Sequence, residues 1–407
     1  MATERMYELA FRYKKAKLWQ RMFDSELFAV KLSDGKIGYC SIMGRMGELN
    51  AVAVYVGDEG FQTLRNTMSA ASFSFDEPDD PTALLKQDCT QCVFTVKDEL
   101  SPAEADEVRA YARAHGIRLA GANAFPQFVR YMPYRYPWEP DEQDQQRICE
   151  VLEASVYLAE LLKTTDREQL GLALFDQETE ALPLLERDAD GFAVKTTPVP
   201  PEIPDAYASP KLSNDLVAAR LRKMKKKGTL QCELIRLFEP VQEQEGEVPY
   251  FPVVLLAVDE KTEMVMPPSP VTFFEDHPER AVDSFAETLL DNELCPGRIR
   301  VGNEQTFALL ENLCKAAEIK LVKATQDKLG LLYAVKDKLL YGMDDEEEED
   351  DEDDGFEPEE LYDLIMRLSD SELKQLPKAV VKQFLSYSDV GGLPPEVEAR
   401  LRRLFRL

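Results

Sequence analysis

The stretch Leu27-Phe-Ala-Val-Lys-Leu32, Ser33-Asp-Gly-Lys36, Ile37-Gly-Tyr-Cys-Ser-Ile-Met43 decides the fold of the first part of the chain. Its two apolar segments flank an Asp-Gly dipeptide, which is typical of a tight β-hairpin. A second turn at residues 44–48 leads into a third apolar segment, Leu49–Val56. The pattern therefore predicts an antiparallel meander of three strands.

Helix and strand patterns alternate after this meander. Cys92–Lys97 is predicted to be a strand, and Ser101-Pro-Ala-Glu104 is a capping box that predicts the start of a helix. The helix is predicted to end at Gly116, with a further strand at Ile117–Ala120. Strands joined by helices in this way predict a mixed sheet with helices packed on it, and hence an α+β fold.

The next part of the chain is predicted to form a second, related α+β domain. Its first strands are predicted at Leu170–Phe175, Ala181–Arg187 and Phe192–Thr197. A helix is predicted over Ser213–Lys227, with the three lysines 225–227 in its last turn, where cations favour the helix dipole. Near the end, the pattern of residues 316–321 matches that of residues 114–119, which predicts a repeated strand–helix–strand unit.

Charge and length divide the chain further. Its 407 residues exceed what one hydrophobic core usually supports, and eleven consecutive acidic residues, Asp344–Asp354, cannot form a packed element. We predict domains over 1–165 and 166–343, an acidic linker over 344–355, and a small all-helical module over 356–407. The linker is expected to be a tether or a mask over a basic surface, such as Arg400–Arg406 or the basic helix predicted over Thr3–Phe23.

Composition argues against several classes of function. The chain has only two histidines, and its sequence contains no phosphate loop, dinucleotide glycine signature, nucleophile elbow or complete zinc-ligand set, so no cofactor or metal is expected. Cys89 and Cys92 form a single Cys-x-x-Cys, for which a buried strand is the favoured interpretation. A net charge of −28 disfavours binding to nucleic acid, because the chain and the phosphate backbone repel each other. The sequence contains no apolar run long enough to span a membrane, which predicts no membrane association and a cytoplasmic location.

Several segments together resemble a family of uncharacterised bacterial proteins. The resemblance starts in the meander and in Gly57-Asp-Glu-Gly-Phe61, and continues through Arg109-Ala-Tyr-Ala-Arg113 and Tyr134-Arg-Tyr-Pro-Trp138. It covers about residues 20–160, and residues 249–339 resemble a second uncharacterised domain. The resemblance implies a bacterial cytoplasmic protein and assigns no catalytic residue.

One segment is the candidate site. Between Phe125 and Trp138, aromatic and arginine side chains are concentrated among prolines, which predicts irregular structure. Tyr, Trp and Arg dominate protein-binding hot spots and can also stack on nucleobases. The alternative is a loop whose rings cover the first domain. The candidate interaction residues are Arg130, Tyr131, Tyr134, Arg135, Tyr136 and Trp138.

The expected function is binding. We expect an intracellular protein-interaction or regulatory protein without catalytic activity, whose partner is another protein. The first alternative is an enzyme with a carboxylate-based, metal-dependent or metal-free site assembled from distant residues. The second is a nucleic-acid-associated protein that uses a local basic face.

Overall fold

The computed structural model describes residues 2–45, 49–71, 82–121, 123–176, 178–189, 191–244, 246–267 and 269–341. The predicted acidic linker and the predicted helical module lie outside the described residues. Residues 1–342 form one compact unit.

A seven-stranded sheet forms the first domain. Its spatial order is β5-β4-β3-β2-β1-β6-β7, and every pair is antiparallel except β1 with β6. The predicted meander is confirmed in β1 to β3, and Gly35 in its hairpin has a φ of 84°, a conformation that glycine adopts without strain. The strands are β1 Phe28–Lys31, β2 Ile37–Met43, β3 Asn50–Val56, β4 Cys89–Thr95, β5 Phe125–Tyr131, β6 Ala181–Asp188 and β7 Gly191–Pro198.

Helices cover both faces of this sheet. Because side chains alternate along a strand, Phe28 and Val30 enter the core beneath α1 and α4, whereas Ala29 enters the opposite core with Phe61 of α2. The helices are α1 Glu4–Ala16, α2 Gly57–Ala71, α3 Pro102–Ala114 and α4 Glu142–Leu161. The predicted capping box is present, since Ser101 and Glu104 bond each other's backbone N–H groups.

A four-stranded sheet forms the second domain. Its order is β11-β10-β8-β9, with β8 and β9 antiparallel and the other pairs parallel. Helices α5, α6 and α7 pack on one face, and residues of α8 pack on the other. The α+β class with two domains is therefore confirmed. The elements are α5 Asp215–Lys223, β8 Thr229–Arg236, β9 Val253–Asp259, α6 Glu279–Asp291, β10 Arg298–Val301, α7 Glu304–Ala317, β11 Lys320–Lys323 and α8 Gly330–Tyr341.

The hairpin of β6 and β7 differs from the expected domain division. The sequence pattern placed these strands at the start of a second domain over 166–343, but β6 pairs with β1 and completes the first sheet. The pairing satisfies the backbone groups on the otherwise open side of β1. The strand predicted over Leu170–Phe175 is reduced to one bridge between Glu26 and Leu174.

Strand β5 also differs from expectation. Ile117–Ala120 is not a strand, whereas Phe125–Tyr131, predicted to be irregular, pairs along its whole length with β4. Pro126 is tolerated because β5 is an edge strand, where a residue without an N–H leaves no ladder bond broken. The two segments that were matched as a repeat consequently differ, since α3 connects antiparallel strands and α7 connects parallel ones.

The described helices include none that is both long enough and apolar enough to span a membrane.

The core beneath α4 gives a direct stability test. Leu152→Ala removes a fully buried side chain facing the sheet and is expected to lower the free energy of unfolding by about 2–5 kcal/mol, through lost burial and a residual cavity. Leu174→Ala, at a side chain that is 58% exposed, is expected to change it by less than ~0.5 kcal/mol. Urea unfolding followed by circular dichroism measures both, and equal losses would contradict this packing.

Candidate interaction surface

The predicted aromatic segment leaves the first sheet at the end of β5 and returns to it. Arg130 and Trp138 exchange two backbone hydrogen bonds, of 2.8 and 3.0 Å between nitrogen and oxygen. Residues 131–137 thus form a loop closed at its base by main-chain bonds. We refer to residues 132–138 as the aromatic segment.

The backbone of this segment is bonded to the second domain. The Tyr136 N–H donates to the Pro249 carbonyl at 2.9 Å, and the Phe251 N–H donates to the Tyr134 carbonyl at 3.0 Å. On its other side, Tyr250 exchanges backbone bonds of 2.8 and 2.9 Å with Val241. Residues 249–251 of the second domain are therefore held between the aromatic segment and Val241, and we call this region the junction.

A buried arginine occupies the centre of the junction. Arg236, at the end of β8, is only 7% exposed, and its guanidinium carbon lies 3.7 Å from the centroid of the Tyr134 ring. Its Nη1 donates to the Phe251 carbonyl at 2.6 Å and to the Tyr250 hydroxyl at 3.1 Å, while its Nη2 donates to Glu275. Carboxylate, carbonyl and ring together compensate the desolvation of this charge.

Tyr250 completes the network through its hydroxyl group. The hydroxyl donates to Glu275 and accepts from the Phe274 N–H at 3.1 Å as well as from Arg236, so its hydrogen-bonding capacity is used. Burial, together with the neighbouring Glu275, raises the pKa of Tyr250 to about 12. The phenol therefore remains a donor to Glu275 even at pH values above 10, where an ordinary tyrosine ionises.

The six predicted residues divide into two groups. Tyr134, Arg135 and Tyr136 lie at the junction, where the Arg135 guanidinium is 5.2 Å from the Phe273 ring centroid. The other three lie at the end of β5 and at the base of the loop: Arg130, Tyr131 and Trp138.

The Arg130 side chain is paired with carboxylates of its own domain. Its Nε lies 3.0 Å from Asp144 Oδ2, and its Nη2 donates to Asp88. The adjacent Tyr131 is partly buried among residues beneath α2, and burial raises its pKa. These contacts fix the end of β5 but present little of either side chain to a partner.

Tyr136 is the residue that faces outward. Its side chain is 48% exposed, although its backbone is bonded to Pro249 and its ring centroid lies 6.5 Å from that of Phe251. Two further exposed apolar residues adjoin the junction: Val241 pairs with Tyr250, and Leu84 precedes Leu85, whose carbonyl accepts the Tyr134 N–H at 2.6 Å.

Sequence reasoning missed the second-domain half of the junction. Arg236, Tyr250 and Glu275 were not among the candidate residues. One signal was available, because Arg236 directly follows the apolar pair Leu234-Ile235, and a charge in such a strand is buried only when it is paired. The aromatic pair Tyr250-Phe251 between two prolines repeats the composition of the aromatic segment.

The two cysteines of the Cys-x-x-Cys face opposite sides of the first sheet. Cys89 belongs to the core beneath α2, and Cys92 belongs to the core beneath α1 and α4. Burial raises the pKa of the Cys89 thiol to about 12 and also raises that of Cys92. Their side chains therefore cannot converge on one metal ion, and neither is poised as a thiolate.

A cleft of about 1010 Å³ opens on the α2 side of the first sheet. Asp24, Asp176 and Glu202 line it together with Arg65. Asp176 accepts hydrogen bonds of 3.0 Å from the Thr179 hydroxyl and 2.9 Å from the Glu178 N–H, as in a turn. Among the residues that the structure describes, no three His, Cys, Asp or Glu side chains are grouped so as to hold a metal ion.

Fold and junction define a two-domain α+β protein whose domains are joined through a buried arginine and a short backbone ladder. Residues 4–179 belong to a domain of unknown function (DUF7309), and residues 217–340 belong to a second domain of unknown function (DUF6930). The predicted resemblance to two successive uncharacterised domains is thus confirmed. Tyr134 lies in the first and Arg236 in the second, so the junction connects the two family domains.

Comparisons with other proteins add little. No curated protein matches the sequence. The HTLV-2 integrase catalytic core domain in complex with magnesium (dimeric form) is 14% identical, with 29% of this chain and 74% of the integrase covered and a TM-score of 0.20. A chain of the simian T-cell lymphotropic virus intasome in complex with PP2A regulatory subunit B56 gamma is 11% identical, with 49% and 53% covered and a TM-score of 0.21. Matches this distant carry no argument about function.

Arg236→Ala tests the energetic role of the junction. Removing the guanidinium leaves the buried Phe251 carbonyl without its donor and takes one of two donors from Glu275, and is expected to lower the free energy of unfolding by about 1–3 kcal/mol. Arg222→Ala, on the exposed side of α5, is expected to change it by less than ~0.5 kcal/mol. Denaturant unfolding followed by circular dichroism gives both values, and a small loss for Arg236→Ala would contradict the network.

Proposed function

We propose that this chain is a bacterial cytoplasmic protein-interaction or regulatory protein without catalytic activity, and that its contact surface is the exposed side of the junction. The observation that supports the proposal is Tyr136, a half-exposed aromatic residue on a backbone that is fixed by main-chain bonds. Large aromatic side chains with a polar tip dominate the energetics of protein interfaces.

Preorganisation favours this surface over other exposed residues. Tyr134 has a φ of 60°, unusual for a residue other than glycine, and its ring is held against Arg236. The neighbouring Tyr136 is consequently presented in one backbone conformation before any partner arrives. A contact residue that is already ordered loses little conformational entropy on binding, which strengthens the complex.

Four of the six predicted residues take distinct roles in this proposal. Tyr134 and Arg135 orient the segment from within the junction, and Arg130 fixes the base of the loop. Tyr136 makes the contact, with the exposed side chains of Val241 and Leu84 at its margin. The partner is therefore expected to present an apolar pocket of roughly the size of one aromatic ring.

The cleft beside α2 supports a second candidate function. Its carboxylates and its volume of about 1010 Å³ suit a polar small molecule, as the carboxylate-based enzyme alternative requires. Elemental analysis and mass spectrometry of the purified protein test this alternative. A bound metal or metabolite retained in stoichiometric amount would favour it over the interaction proposal.

Tyr136→Ala is expected to weaken a protein contact without changing the fold. Affinity purification of the full-length protein from its own cells, with mass spectrometry, should recover a stoichiometric partner that is reduced at least about tenfold by this substitution, because a hot-spot truncation costs about 2 kcal/mol or more. The matched control is Leu174→Ala, since Leu174 is 58% exposed and pairs with Glu26 next to β1, away from the junction.

Two results would overturn the proposal. Equal loss of the partner from both variants would show that exposed apolar area in general, rather than the junction, determines binding. Recovery of the full-length protein with no stoichiometric partner, under conditions that retain known complexes of the same cells, would remove the interaction function itself.

A further inference from the structure

The second domain carries a basic cleft although the chain is strongly acidic. The cleft measures about 560 Å³ and lies between the end of α5 and the residues that follow α6. Four cationic side chains line it against a single carboxylate, that of Glu293. The four cations are Arg220, Lys223, Lys225 and Lys227.

Within the described residues, these cations have no side-chain partners. Across the described ranges, none of the four side chains makes an ion pair or a hydrogen bond, whereas Arg130, Arg147 and Arg236 each bind at least one carboxylate. Unpaired cations gathered in a concave site produce a positive potential that attracts anions.

Among the three consecutive lysines 225–227, the helix dipole explains the position of only one. The sequence pattern placed Lys225–Lys227 in the last turn of α5, but α5 ends at Lys223. Lys226 alone turns inward, where its Nζ donates to the Leu221 carbonyl at 3.0 Å and to the Ala317 carbonyl at 2.6 Å. It thereby satisfies carbonyl groups at the ends of α5 and α7.

The remaining positive charge exceeds what the helix ends can neutralise. Helices α5, α6 and α7 all end near this site, and each contributes about half a negative charge. Together with Glu293 they offset about two and a half of the five positive charges, including that of Lys226. A net positive charge of about two and a half remains unneutralised, enough to balance the charge of a phosphate group.

We propose that this cleft binds a small phosphate-bearing molecule. Lysine is a common ligand of phosphate as a point charge, and arginine binds phosphate through two parallel N–H donors. Met224, Leu290 and Leu294 give the cleft an apolar side against which the uncharged part of such a molecule can pack. The volume suits a small molecule. Inorganic polyphosphate and a nucleotide share this chemistry.

The test is a titration of the full-length protein with ATP and with inorganic triphosphate, followed by calorimetry. The expected result is saturable binding at one site that weakens at least about tenfold in the double variant Lys225→Ala/Lys227→Ala, since each lost charge-assisted contact weakens binding several-fold. The control is Lys211→Ala/Arg222→Ala, which removes the same charge from exposed positions outside the cleft. It should bind as the unmodified protein does.

The probes distinguish the sources and the competing occupants. Tighter binding of ATP than of triphosphate identifies a nucleotide as the ligand, and equal binding identifies inorganic polyphosphate. Absence of saturable binding of both probes overturns the proposal, as does equal weakening in the two double variants. A single-stranded oligonucleotide that binds when neither probe does would instead assign the cleft to nucleic acid.

Discussion

The buried guanidinium of Arg236 is the constraint on which the arrangement of the two family domains depends. A charge that is 7% exposed persists in a folded protein only where acceptors surround it, and here they come from both domains: Glu275 and the Phe251 carbonyl from the second, and the Tyr134 ring from the first. The ring and the crossing backbone bonds fix the aromatic segment. The same backbone bonds leave the Tyr136 side chain exposed, and the proposed contact surface depends on this exposure.

Local signals predicted the local part of the fold. The Asp-Gly turn and the Ser101 capping box identified β1–β3 and α3, because both motifs satisfy backbone groups within a few residues. The pairing of β1 with β6 could not be predicted in this way, since it joins segments separated by about 150 residues and leaves no local pattern. Helix α4 escaped prediction because polar residues dominate its first turns.

The candidate site was only half predictable. Composition identified the aromatic segment, yet it could not distinguish the inward-facing Tyr134 from the outward-facing Tyr136, because the difference is imposed by Arg236 far downstream. Proline content suggested irregular structure up to Trp138, whereas the edge position of β5 makes Pro126 compatible with a strand. For the lysine run after α5, the sequence offered a structural explanation, the neutralisation of helix ends. That explanation holds for Lys226, which bonds the Ala317 carbonyl, but it does not account for Lys225 and Lys227.

A double-mutant cycle between the two domains tests the central claim most directly. Tyr134→Leu, Arg236→Met and the combined variant are unfolded by denaturant, and the coupling free energy is obtained from the four stabilities. Stacking of the buried guanidinium on the ring predicts a coupling of about 1–2 kcal/mol. Effects that add to within about 0.3 kcal/mol would mean that the two residues do not interact, and would contradict the account of the junction.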